Sequence, residues 1–218
     1  MLPSPYVMAR NIIAAAVALS LAACGGASQS VPTSAPGVQS APRGPTVFIG
    51  DSITAYWATL DESFPDAVNA GIGGQTCEQM RARFQADVLA QHPSTVVILC
   101  GANDIRYNLS DDQSALFAMV QAAESTGAQV VVGELLPNTG WPETVDNYPQ
   151  DGQALYVDWN KAIKAGAASY GYTVADYYDA MVLPSGAQNP ALFQPDGTHP
   201  NAAGYAVMVT VLQAVGVQ

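Results

Sequence analysis

With 218 residues, about half of them hydrophobic, the chain is sized for one domain with a full apolar core. Its 18 carboxylates against 7 Lys and Arg give a net charge of −11 with no basic cluster, which excludes nucleic acid and anionic lipid headgroups as partners. Two histidines and three cysteines show no metal-ligand spacing, so neither a metal site nor a cofactor is expected.

The N-terminus reads as an export segment. Met1–Arg10 carries one basic side chain, and Asn11–Ala23 is an apolar run. That run is shorter than the roughly 20 residues a bilayer span needs, so residues 1–23 read as a secretory signal peptide. Leu21-Ala22-Ala23-Cys24 resembles a bacterial lipobox, which makes Cys24 the lipidated first residue of the mature chain. Residues 24–45 are rich in Ser, Pro, Gly, Ala and Gln and bury too little apolar surface to order themselves, which predicts a flexible tether. The expectation is a monomeric domain over 46–218, secreted across the inner membrane. It is held at a bacterial cell envelope, in the periplasm or at the outer membrane, by its lipid alone.

From Pro45 onward, β-rich runs alternate with helical patterns. Thr46–Gly50 is an apolar run closed by glycine, and Ala67–Ala70 is a weaker strand ended by Gly71. Within Thr76–Gln91, Cys77, Met80, Phe84 and Val88 recur at three and four residues, which predicts a helix. Thr95–Cys100 is continuously apolar, as a strand covered on both faces is. Asp111–Thr126 predicts a second helix with Leu116, Met119, Val120 and Ala123 on one face. Gln129–Leu136 reads as strand, Asp151–Ser169 as helix, Tyr172–Ala175 as strand and Asn201–Val215 as the closing helix. This alternation predicts an α/β fold, a three-layer αβα sandwich around about five mainly parallel strands.

Sheets of this kind bind ligands outside the carboxyl ends of their strands. Four polar, glycine-rich clusters fall at that edge: Gly50–Thr54, Asn69–Thr76, Gly101–Ile105 and Asp196–Pro200. His92 lies at the opposite edge, which leaves His199 as the histidine able to serve a site there. A serine hydroxyl becomes a useful nucleophile when an adjacent imidazole takes its proton, and Ser52 with His199 supplies that pair. Asp196, three residues before His199, is placed to fix the imidazole tautomer, a role that a carbonyl oxygen also fills. Donors for an oxyanion are offered by the Ser52 amide, by an amide within Gly73-Gly74 and by the Asn103 side chain. Spacing does not choose between the two glycines. Asp51 and Asp104 read as structural carboxylates holding the loops around Ser52 and Asn103.

These four blocks resemble those of the SGNH (GDSL-type) hydrolase superfamily, in order and over nearly the whole domain. The resemblance implies a flavodoxin-like fold, with Ser52 as nucleophile and Asp196 and His199 as its partners. It also implies an oxyanion hole from the Ser52 and Gly74 amides and the Asn103 side chain. Taken with the lipobox, it implies a bacterial lipoprotein esterase that needs no cofactor. Ile53 stands where many members carry leucine, a position expected to pack rather than react.

Cys77 opens a helix and Cys100 ends a strand, both near the same edge. They read either as two small core residues or as a disulfide bracing the Gly74 and Asn103 loops. For substrate contacts the candidates are Tyr107, Trp141 and Tyr148, with Tyr56 and Trp57 after the nucleophile and Arg106 and Asn108 beside Tyr107. Rings with few charges suit an acyl chain, an aryl alcohol or a sugar face. A small chain without an obvious lid favours short acyl groups, acetyl first, on a small-molecule or saccharide ester. The other readings are a lysophospholipase or thioesterase on longer chains, a saccharide acyltransferase, and a non-catalytic surface glycan-binding module. An intact Ser52, Asn103 and His199 set argues against the last.

Overall fold

A computed structural model describes residues 44–109, 113–140 and 152–218. The expected signal peptide, Cys24, the tether as far as residue 43, Trp141 and Tyr148 lie outside the described residues. No helix among the described residues is long and apolar enough to cross a membrane.

Five strands form one sheet: β1 (Thr46–Gly50), β2 (Val68–Gly71), β3 (Thr95–Leu99), β4 (Gln129–Gly133) and β5 (Thr173–Ala175). Their order is β2-β1-β3-β4-β5, and every neighbouring pair is parallel rather than mainly so. All residues of β1 and β3 are buried, which requires cover on both faces and accounts for their unbroken apolar runs. The cover comes from α1 (Ser52–Ala55), α2 (Leu60–Ser63), α3 (Cys77–Asp87), α4 (Ala102–Arg106), α5 (Ser114–Glu124), α6 (Gly152–Tyr170), α7 (Tyr177–Ala180) and α8 (Ala202–Ala214). Right-handed crossovers divide these helices by direction of travel. The step from β1 to β2 runs one way, while β2 to β3, β3 to β4 and β4 to β5 run the other. The sheet is therefore sandwiched, with α3, α5 and α6 on the face opposite α1 and α2.

Several boundaries differ from the sequence pattern for local reasons. The helix expected over 76–91 starts at Cys77 because Thr76 caps it: the Thr76 hydroxyl accepts from the Gln79 amide, and the Gln79 side chain accepts from the Thr76 amide. It stops at Asp87, and a 3-10 turn over Leu89–Gln91 ends at His92 in the left-handed conformation. The fourth strand stops at Gly133 instead of Leu136 because the Asn160 side chain bonds both the amide and the carbonyl of Leu135, at 2.7 and 2.9 Å, in place of a neighbouring strand. Trp57 is a core residue, not a site residue. It is 4% exposed, and its ring lies 5.1 Å from that of Tyr205 and 5.9 Å from that of Phe48.

The register places the site. Gly50, the last residue of β1, pairs with Gly71 of β2 on one side and Leu99 of β3 on the other. From β1 the chain moves outward to β2 and then crosses back to β3, so the strand order reverses at the carboxyl ends of β1 and β3. Such a reversal opens a crevice. Ser52 follows β1 into it and Asn103 follows β3.

Candidate active site

Ser52 is the first residue of α1, and Asp51 caps that helix with an Oδ1 that accepts from the Ile53 amide at 2.9 Å. The Ser52 Oγ lies 2.9 Å from Nε2 of His199. On the other side of the ring, His199 Nδ1 lies 2.7 Å from Asp196 Oδ2. A carboxylate, not a carbonyl oxygen, therefore faces Nδ1. The proton then belongs on Nδ1, and the Nε2 lone pair faces the serine hydroxyl.

The turn that carries this pair is self-supporting. Asp196 Oδ1 accepts from the amides of Thr198 and His199 at 2.9 and 3.0 Å. Partial burial raises the Asp196 pKa, but the His199 amide and ring and the Thr198 amide outweigh it and leave the carboxyl below the usual range. The Asp196 side chain remains 46% exposed. Tyr56 lies beside the imidazole, ring centres 5.4 Å apart, and is itself 58% exposed.

The opposite wall is built differently. Asn103 sits in the first turn of α4 and is 4% exposed. Its Nδ2 donates to the Gln75 carbonyl at 3.1 Å and to Asp51 Oδ2 at 3.3 Å. Gly101 makes the turn from β3 into α4 at φ 126°, and a Cβ there would collide with the ring of Trp159. Gly74 is also at positive φ, 78°. Cys77 and Cys100 form a disulfide with Cα atoms 5.2 Å apart. Beside it, the Asp104 carboxylate accepts from the Cys77 amide at 3.0 and 3.3 Å. Burial raises the Asp104 pKa, against the opposing effect of that amide. The loop from Gly74 to Thr76 is thus tied to the β3–α4 turn by a covalent bond, by a carboxylate and by the Asn103 side chain.

Between the two walls lies a cavity of about 170 Å³. Ser52, Gly74, Asn103 and His199 all line it, and Ile53, Ala102, Leu136 and Tyr156 supply an apolar side. A model of the GDSL-like lipase/acylhydrolase family matches residues 48–207. The chain belongs to that family, a family of carboxylic ester hydrolases. Similar proteins include an acetylxylan esterase of Geobacillus stearothermophilus, 25% identical over 178 residues that cover 73% of this chain and 78% of that enzyme. A GDSL-like lipase from Bacteroides thetaiotaomicron superposes with a TM-score of 0.70 at 28% identity, covering 79% of this chain and 87% of the other. The lipoprotein YqeF of Bacillus subtilis (strain 168) is 59% identical over 46 residues, 21% of this chain and only 19% of that protein.

In this GDSL-family chain several lining residues carried no motif. Leu136 and Asn138 follow β4 at the active edge, where the strand-end rule places ligands, but no glycine-rich block marks them. Asn138 Oδ1 accepts from the Gly140 amide at 2.8 Å and from the Thr198 hydroxyl at 3.3 Å, which ties the β4 loop to the His199 turn. Tyr156 arrives from α6, whose pattern predicts only a packed helix. Among the other expected contacts, Arg106 lines the cavity, whereas Tyr107 is 51% exposed at the rim near Gly74. Among the described residues no group of three or more His, Cys, Asp and Glu side chains is placed to hold a metal ion.

Proposed function

We propose that the domain is a serine esterase for short acyl groups, acetyl first, acting through an acyl-enzyme. The observation that carries this is the run of contacts from Ser52 Oγ to His199 Nε2 and from His199 Nδ1 to Asp196, facing a small, partly apolar cavity. His199 takes the Ser52 proton as Oγ attacks the acyl carbon, and Asp196 stabilises the imidazolium that forms. The negative charge on the former carbonyl oxygen falls to the Ser52 and Gly74 amides and the Asn103 side chain. His199 then protonates the departing alcohol. A water, activated by the same imidazole, releases the acid and restores Ser52.

Cavity size supports the short-chain reading. At about 170 Å³ the space lies well below the roughly 300 Å³ at which pockets for drug-sized ligands begin. The acetylxylan esterase relative supports an acetylated saccharide as the class of ester. The lipobox and the lipoprotein relative support a lipid-anchored envelope location, reached by secretion.

The test is hydrolysis of p-nitrophenyl esters from acetyl to palmitoyl by the soluble domain and by its Ser52→Ala variant. The expected result is a peak at acetyl and, in the variant, a fall in kcat of about 10⁴-fold or more. A peak at long chains would move the substrate to lipids. Equal rates for the two proteins would remove Ser52 as nucleophile.

A further inference from the structure

Asp51 is buried, 2% exposed, with no ion pair among the described residues. A charge in that position is costly, and capping α1 does not require it. Ser or Thr would accept from the Ile53 amide as well. What a hydroxyl cap lacks is the second oxygen, and that oxygen accepts from Asn103 Nδ2.

The consequence concerns which end of the Asn103 amide faces the site. With Asp51 Oδ2 and the Gln75 carbonyl both accepting from Nδ2, a flipped amide would set its Oδ1 lone pairs against two other acceptors. The acceptor pair therefore selects nitrogen over oxygen at this position. We propose that Asp51 is a positioning residue that, in its ionised form, holds the Asn103 side chain with nitrogen rather than oxygen toward the site, one N–H staying on Asp51 while the other turns from the Gln75 carbonyl to the oxyanion. This rests on the oxyanion role proposed for Asn103. A protonated Asp51 carries an O–H that pairs equally well with a flipped Oδ1, so the preference weakens when the carboxyl takes up a proton.

Asp51 is set to change charge in a useful range. Burial raises its pKa from the ordinary 3.8 to about 6; the Ile53 amide and His199 oppose that rise, and Asp104 on α4 adds to it. Tyr205 of α8 also faces this group, with its hydroxyl donating to the Ile53 carbonyl at 2.8 Å. Protonation of Asp51 therefore adds to the loss of activity on the acid side, through about pH 6.

The experiment is a double-mutant cycle with Asp51→Asn and Asn103→Ala, measuring kcat and KM for p-nitrophenyl acetate from about pH 4 to 8. Asp51→Asn is expected to lower kcat about 10- to 100-fold with little change in KM, and to cost less than about twofold when Asn103 is already alanine. On the acid side, the roughly 10- to 100-fold advantage of the wild type over Asp51→Asn in kcat/KM should shrink as pH falls below about 6, so that the two proteins converge. Asp51→Ser keeps a cap for the Ile53 amide and removes the second oxygen, so it should fold normally and be equally slow. If Asp51→Ser retains wild-type kcat, or Asp51→Asn costs the same factor with and without Asn103, the positioning role is overturned while the oxyanion reading stands. Wild-type kcat in Asn103→Ala would overturn both.

Discussion

The two walls of the cavity are held by opposite means. On the wall that meets Ser52, His199 and Asp196 rest on one surface turn, with an Asp196 side chain 46% exposed to water. The Asn103 wall is buried and tied by a disulfide, a carboxylate–amide contact and two acceptors on one side-chain nitrogen. The difference fits the work proposed for each wall. A base that shuttles protons needs a correct tautomer and an open route for the alcohol and water to pass. A donor that meets developing charge acts by being in place beforehand, so any freedom it has is paid back as barrier.

This contrast is open to attack from three sides beyond Ser52→Ala, which sets the ceiling. The largest expected effect is that of Asn103→Ala, a loss of about 10² to 10³ in kcat with KM little changed. A rise in KM at constant kcat would instead mean that Asn103 binds substrate and transition state alike. Next comes Asp196→Ala. A fully buried triad carboxylate is worth about 10⁴ in kcat, but water substitutes in part for an exposed one, so about 10- to 100-fold is expected here. A larger loss than that of Asn103→Ala would reverse the comparison and make the exposed wall the demanding one.

The smallest effect on rate is expected from the disulfide. Replacing Cys77 and Cys100 together by serine removes a bond that closes a 23-residue separation, worth about 3 kcal/mol of stability on a chain-entropy basis. For a domain of this size that lowers Tm by about 10 °C. The Asp104–Cys77 amide contact and the Asn103–Gln75 bond remain, so kcat below the melting range should fall only a few-fold. A collapse of kcat with Tm unchanged would mean that the covalent tie, not the hydrogen bonds, sets the Asn103 wall.

How much was legible in the sequence varied with element length. The strands show as apolar runs, and the long helices show in periodicity because each repeats its pattern over several turns. α1 and α4 do not, being four and five residues long, yet these are the helices that carry Ser52 and Asn103. Those two residues were found instead through the polar, glycine-rich blocks after β1 and β3. Asn138 and Tyr156 were missed, since neither sits in a block and their places depend on how the β4 loop and α6 fold over the sheet. Trp57 follows Ser52 closely, but sequence distance says nothing of direction, and the short α1 turns it into the core.

The sequence by itself determined the layer order and the edge at which chemistry lies, because burial on both faces writes continuous apolar runs and tight turns demand glycine. It also placed Ser52, His199 and Asn103, since a motif is a local arrangement and local chemistry survives in one dimension. Only the tertiary structure decided which oxygen faces His199 and that Cys77 meets Cys100. It alone set the two acceptors around the Asn103 nitrogen, one of them the buried carboxylate of Asp51. Those contacts join residues 23 to 52 positions apart, or turn on the rotation of a single side chain, and no pattern of residue types records either.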